Sequence, residues 1–206
     1  MSDVNQEQRL TYRQSQAMET KRRIVTAARR LFSEGGYAVT SIEQVAREAG
    51  VAVRTVYTAV GGKKQILSAI CDEWIVESDV SGLAGRILTE PDAPQRIALM
   101  AHLNRTQWEL GRDVIPMLEA AAASDGRVVR MLANWKDQRA GIIREAVKGL
   151  APALRPGLRW EDAAATVRAL SVPELYSQLV RDESWEPDRY ETWLVRLLTA
   201  ELLTGP

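Results

Sequence analysis

Residues 40–57 read TSIEQVAREAGVAVRTVY, and their spacing predicts two short helices around a tight turn. Thr40 is placed to cap the first, with Glu43 three residues on to close a capping box. Val45, Ala46 and Ala49 fall on its inward face. Gly50 follows where the chain must turn through positive φ. Val51 and Val56 supply the apolar contacts of the second helix. Ala46 is small where two steeply crossing helices must come close. These offsets describe a helix-turn-helix, a unit whose second helix enters a DNA major groove.

The flanks extend the pattern. Residues 21–32, KRRIVTAARRLF, place Ile24, Ala27, Ala28, Leu31 and Phe32 at i, i+3, i+4, i+7 and i+8, an amphipathic helix with one apolar stripe. Arg22, Arg23, Arg29 and Arg30 occupy its other face, and Gly35-Gly36 ends it. Beyond Tyr57, Gly61-Gly62-Lys63-Lys64 precedes a new stripe that opens with Ile66, Leu67 and Ile70.

Taken together, Glu34-Gly35-Gly36-Tyr37, Thr40-Ser41, Val45-Ala46, Ala49-Gly50-Val51, Thr55-Val56-Tyr57 and Lys63 resemble the N-terminal domain of TetR/AcrR-family transcriptional regulators. The resemblance is specific over residues 20–70. It is looser at the C-terminus, where Pro173-Glu174-Leu175-Tyr176 and residues 185–193 are similar to the family's last two helices. Two positions depart from the pattern. Ala52 stands where the family usually has Ser or Thr before the recognition helix, so that N-cap is missing. Ala59-Val60 stands where a His-Phe pair usually follows.

Composition agrees with a globular protein: 46% of the 206 residues are hydrophobic, too many for wholesale disorder. Apolar runs are short and interrupted by charge, so no transmembrane helix is expected, and the polar start MSDVNQEQRL shows no secretory pattern. Cys71 and His102 are each alone, so neither an intrachain disulfide nor a Cys/His zinc site can be assembled. A reducing cytoplasm is expected, with no metal and no cofactor. The zero net charge conceals an asymmetry. Residues 1–70 hold 11 Lys+Arg against 6 Asp+Glu, and the remainder 16 against 21. A basic head on an acidic body suits a protein that presents only its head to DNA.

The expected fold is all-α, with an N-terminal three-helix helix-turn-helix domain and a C-terminal helical domain for ligand binding and dimerisation. Residues 1–18 read as a flexible arm or a frayed extension of the first helix, 19–64 as the DNA-binding domain and 65–206 as the body. In the body, helices are expected over 63–79, 94–112, 114–123, 127–150, 160–181 with a kink at Pro173, and 187–203. Ser81-Gly82 reads as punctuation, and no segment alternates as a strand would.

Residues 53–59 should lie in the major groove. Arg54 is the base-reading candidate, because a guanidinium pairs bidentately with guanine. Val53 can pack on a thymine methyl, and Thr55 and Thr58 can contact phosphates or methyl groups. The resemblance implies that Tyr57 touches the backbone and that Lys63, at a helix N-terminus, binds phosphate, with Thr40 or Ser41 doing so from the other side. Arg47 is a further candidate.

A single helix-turn-helix reads only a few base pairs, so a homodimer on a two-fold site is expected. The last two helices are candidates for its interface through Ala164, Val167, Leu170, Leu179, Trp193 and Leu197. The resemblance also implies an effector pocket in the body. Asn104 and Arg139 are polar residues on apolar stripes, and such groups need a partner or a cavity. Trp108, Met117, Trp135 and Tyr176 are candidate walls. Arg139 favours an acidic or carbonyl-bearing ligand, unless it pairs with Glu109 or Glu119 or reaches solvent. His102 reads as structural or surface, and Cys71 as a buried structural cysteine.

The partners so implied are a double-stranded DNA operator, a second copy of the chain and an unidentified small molecule. Effector binding would act through the 63–79 helix on the spacing of the two heads. An enzyme is not expected, since no phosphate loop, nucleophile pair or metal cluster is visible. The alternative is a helical scaffold whose head no longer binds DNA.

Overall fold

The computed structural model describes the backbone of residues 2–203 and the side chains of residues 14–203. These residues form eleven α-helices: α1 (Ser2–Gly35), α2 (Ile42–Ala49), α3 (Val53–Ala59), α4 (Lys63–Glu77), α5 (Val80–Thr89), α6 (Ala93–Leu110), α7 (Val114–Ala122), α8 (Gly126–Lys148), α9 (Trp160–Leu170), α10 (Pro173–Ser177) and α11 (Pro187–Leu202). One turn of 3₁₀ helix covers Ala151–Ala153, and a π-helical turn covers Gln178–Asp182. Among the described residues the extended pairing is a single isolated bridge between Leu154 and Leu203, and the fold is all-α as the sequence predicts.

The chain divides into two compact units, one running through Glu73 and taking in Pro116–Val128, the other comprising Trp74–Ile115 and the chain from Val129 onward. The first break therefore lies within α4, later than the expected boundary after residue 64. The reason is that Ile66, Leu67 and Ile70 of α4 are completely buried and belong to the core of the first unit. Residues 2–18, read as an arm or frayed extension, are helical and continuous with α1.

In the first unit α1, α2 and α3 pack together around Ile24, Val25, Ala28, Phe32, Val45, Ala46 and Val56, all at most 2% exposed. Phe32 meets Tyr37 edge to face at 5.1 Å. Full burial of one such ring contributes roughly 1.5–3 kcal/mol. The second unit is built on α6, against which α5, α10 and α11 pack. Tyr190, Leu194, Leu198 and Leu202 of α11 form its buried stripe at four-residue intervals.

Two sequence expectations are corrected here. Ser81-Gly82 does not interrupt the chain, because α5 runs through it and buries Leu83, Ala84 and Ile87. A mid-helix glycine costs only about 1 kcal/mol, less than burying those three side chains returns. Pro173 does not kink a long helix but starts a new one. Val172, just before it, is extended at φ −86°, ψ 149°, as the pyrrolidine ring forces on its predecessor. That break leaves the Ser171 carbonyl outside any helical ladder, with consequences for the site below.

Candidate DNA-reading helix and effector cavity

The turn between α2 and α3 is made by Gly50, in the left-handed region at φ 64°, ψ 41°, with its N–H directed to the carbonyls of Ala46 and Arg47. The cap of α2 differs from expectation. Ser41 is the N-cap, accepting from the Gln44 N–H at 3.2 Å, while the Gln44 side chain accepts from the Ser41 N–H at 2.7 Å. Thr40 is buried, and its hydroxyl donates back to Gly36 and Leu31 carbonyls at the end of α1, at 2.8 and 3.3 Å. The capping box is thus one residue later than Thr40–Glu43, and the Thr40 hydroxyl is already engaged within the fold.

The α1 arginines fix α2 in place. The Arg23 guanidinium donates to the Ala49 and Gly50 carbonyls, a cation at a helix C-terminus, and Arg30 pairs with Glu48. Sequence reading saw only a basic face there.

On α3, Val56 is fully buried while Arg54, Tyr57 and Thr58 are exposed, with Val53 and Thr55 half-buried beside them. Arg54, Tyr57 and Thr58 stand at i, i+3 and i+4, one continuous outer face. Tyr57 is 55% exposed and is not part of the core. The Thr58 hydroxyl donates to the Arg54 carbonyl at 3.0 Å. Ala52 holds the N-cap position with extended backbone and no side-chain cap, as its identity requires. Lys63 begins α4 but is turned inward: its Nζ donates to the Ala38 carbonyl at 3.1 Å and lies 4.6 Å from the Tyr37 ring centroid. Partial burial lowers its pKa.

The second unit holds a partly open cavity of about 230 Å³. Of the six expected ligand residues, Asn104, Trp135 and Arg139 line it. Trp108, Met117 and Tyr176 are buried but not among its lining residues; Trp108 lies behind Arg139 and Trp135. Met117 falls in the first compact unit, and Tyr176 packs edge to face on Tyr190 at 4.9 Å. Helical stripes identify which residues face inward but not which interior space they reach.

The polar end of the cavity is an ordered network. The freed Ser171 carbonyl accepts from Asn104 Nδ2 at 3.2 Å and from Arg139 Nη2 at 2.8 Å. The Asn104 Oδ1 accepts from the Tyr190 hydroxyl at 2.8 Å, and the Gln107 side chain accepts from Arg139 Nε at 3.2 Å. Arg139 also lies over the Trp108 ring, 4.7 Å from its centroid. Pairing with Glu109 or Glu119 is not what Arg139 does; among the described residues it makes no ion pair. Burial pulls its pKa down to about 10, with Tyr190 as the one neighbour acting the other way. Gln107 and Ser171 were not anticipated. Gln107 carried a signal, a polar residue one turn past Asn104 on the same stripe. Ser171 carried one only through the Val-Pro pair behind it.

Trp74, Trp108 and Trp135 cluster beside this network, with centroids 5.3–6.3 Å apart, and Trp74 Nε1 donates to the Gln107 carbonyl at 2.9 Å. Of the expected interface residues, Ala164 and Val167 are buried within the chain's own fold, whereas Leu170, Leu179, Trp193 and Leu197 are half-buried. His102 pairs with Glu191 at 3.1 Å. Burial raises the Cys71 thiol to about 12, far from a reactive thiolate. Among the described residues no helix is long and apolar enough to cross a membrane, and no cluster of His, Cys, Asp or Glu could hold a metal.

A helix-turn-helix followed by an all-helical body is an arrangement found among helix-turn-helix transcriptional regulators. Residues 24–70 match the family of bacterial regulatory proteins, tetR family. The helix-turn-helix-type transcriptional regulator HbdR of Aromatoleum sp. (strain CIB) is 47% identical over 49 residues, 24% of this chain and 21% of that relative. That aligned segment spans about a fifth of HbdR. Among solved structures, the fold is similar to NalD, the secondary repressor of the MexAB-OprM multidrug efflux pump in Pseudomonas aeruginosa, with a TM-score of 0.72, 20% identity and coverage of 93% of this chain and 100% of that one. It is also similar to a transcriptional regulator of Saccharomonospora viridis in complex with choline, with a TM-score of 0.71, 18% identity and coverage of 91% and 100%. Residues 24–70 thus carry the domain of the tetR family of bacterial regulatory proteins, and the fold over most of the chain is similar to that of these solved regulators.

Proposed function

We propose that the chain is a homodimeric repressor that binds a palindromic operator through α3 and releases it when a small molecule enters the second unit. The observation that carries this reading is the outer face of α3, where Arg54, Tyr57 and Thr58 stand exposed on a helix held by a buried Val56 and a glycine turn. Arg54 reads a base, Val53 and Thr55 contact methyl groups or phosphate, and Tyr57, Thr58 and Ser41 contact the backbone. Lys63 contributes through the N-terminus of α4, where it already braces Ala38 and Tyr37. Thr40 acts through the α1–α2 corner that its hydroxyl holds.

Dimerisation uses the half-buried Leu170, Leu179, Trp193 and Leu197, with the buried Ala164 and Val167 shaping the surface beneath them. The effector occupies the cavity lined by Asn104, Trp135 and Arg139. NalD is a repressor and the Saccharomonospora regulator holds choline, which supports repression and small-molecule control by likeness of fold. The cavity-lining Ile75 lies on α4 and Trp135 on α8, and both helices continue along the chain into the first unit. Effector affinity that differs between two arrangements of these helices supplies the coupling.

The direct test replaces Arg54. In selection of bound sequences from a random DNA library, Arg54→Ala should relax preference at one base position per half-site and weaken binding by roughly 1–3 kcal/mol. Unchanged selectivity would remove Arg54 from the reading face.

A further inference from the structure

The cavity in the second unit has one charged lining residue, Arg139, and no lining carboxylate. Two of its five guanidinium N–H donors are engaged, by the Gln107 side chain and the Ser171 carbonyl. The remaining three have no protein acceptor among the described residues. Both engaged acceptors are neutral. The Ser171 carbonyl, just past the C-terminus of α9, offers only the partial negative charge of a helix end. A cation withdrawn from water with no counter-charge is unfavourable, and an entering anion relieves it. Much of the remaining lining is hydrocarbon, including Ile75, Ile87, Met100, Ile142 and Val167. A volume of about 230 Å³, at ~30 Å³ per water, admits on the order of ten non-hydrogen atoms.

We infer that the cavity takes a small monocarboxylate, its carboxylate on the open donors of Arg139 and its apolar body along the Ile75–Ile142 wall. The guanidinium fork matches a carboxylate in two parallel hydrogen bonds. Asn104 gives one amide hydrogen to Ser171 and its oxygen to Tyr190, and as a neutral group it leaves charge recognition to Arg139. An amide of the same shape would leave the cation uncompensated, and a quaternary ammonium would face it. This class of ligand rests on the reading of the second unit as the effector domain.

Trp135 lines the cavity and belongs to the tryptophan cluster, so intrinsic fluorescence reports occupancy. The full chain is titrated at fixed ionic strength with octanoate and octanamide, with phenylacetate and phenylacetamide, and with choline. At least one acid should give a saturable change and bind roughly tenfold or more tightly than its amide, with choline weaker than both. Arg139→Gln should bring that acid to the affinity of its amide. Because Arg139 also holds Ser171, Arg139→Lys is measured beside it and should keep an acid preference in reduced form. An amide that binds as well as its acid, choline binding more tightly, or no saturable response to either acid overturns the proposal, and the wild-type comparison decides this without any variant. DNA binding by the same preparation is measured separately. DNA binding without acid binding ends the carboxylate assignment and keeps the regulator reading; acid binding without DNA binding ends the regulator reading and keeps the carboxylate site.

Discussion

Gly50 shows how one residue sets the geometry of the head. Its backbone lies at φ 64°, where a side chain costs about 1–2 kcal/mol, and a Cβ there would stand 2.9 Å from Arg23 Nη2. That guanidinium is the cap on the last carbonyls of α2. Gly50→Ala therefore strains the turn and pushes on the group that closes it. It should destabilise the head by ~1–2 kcal/mol and lower the thermal midpoint by about 2–4 °C for each kcal/mol. An unchanged midpoint in thermal unfolding would mean that neither the positive φ nor Arg23 constrains the turn. Arg23 and Arg139 are one device used twice, a guanidinium on the carbonyls that a helix end leaves open. At Arg23 those carbonyls lie at the surface of a small head; at Arg139 the carbonyl lies beside a cavity, so the charge remains available.

At the scale of the element, α3 is the weakest link of the head. It has seven residues and no side-chain cap, and a helix that short is held by its neighbours rather than by its own propensity. The backbone of Ala52, at φ −70° and ψ 149°, already has the extended form an N-cap serine adopts. Ala52→Ser should therefore stabilise the protein by ~1 kcal/mol, read as a higher thermal midpoint; no rise would place the N-terminus of α3 in a conformation other than this one. Some elements were legible in the sequence because local chemistry decided them. The glycine between α2 and α3 and the four-residue stripe of α1 are of that kind. Others were not. Thr40-Ser41 is followed by Glu43-Gln44, so either hydroxyl can close a capping box, and only the packing of Thr40 under the end of α1 selects Ser41. Gly82 reads as a breaker until Leu83, Ala84 and Ile87 find a core. The cavity is similar: a stripe on α8 marks Trp135 and Arg139, but the meeting of α6, α8 and the α9–α10 break at the Ser171 carbonyl is set by tertiary packing.

Along the chain a basic helix-turn-helix domain continues into an acidic helical body, whose cavity is lined by Arg139 with no carboxylate partner among the described residues. In the dimer we propose, the four half-buried apolar residues on α9, α11 and the π-helical turn form the surface through which two copies would place two α3 helices on one duplex. A regulator that works through such a pair requires a two-fold symmetric site. The most direct measurement is selection of bound sequences from a random DNA library by the purified full chain, without added effector, at low salt and again at raised salt. Enrichment of a two-fold symmetric site, with half-sites about one helical turn apart and affinity falling as salt rises, is the predicted result. Enrichment of no sequence, even at low salt and after the protein has been unfolded and refolded to free it of any bound effector, would contradict the account and leave a helical scaffold with a head that does not read DNA.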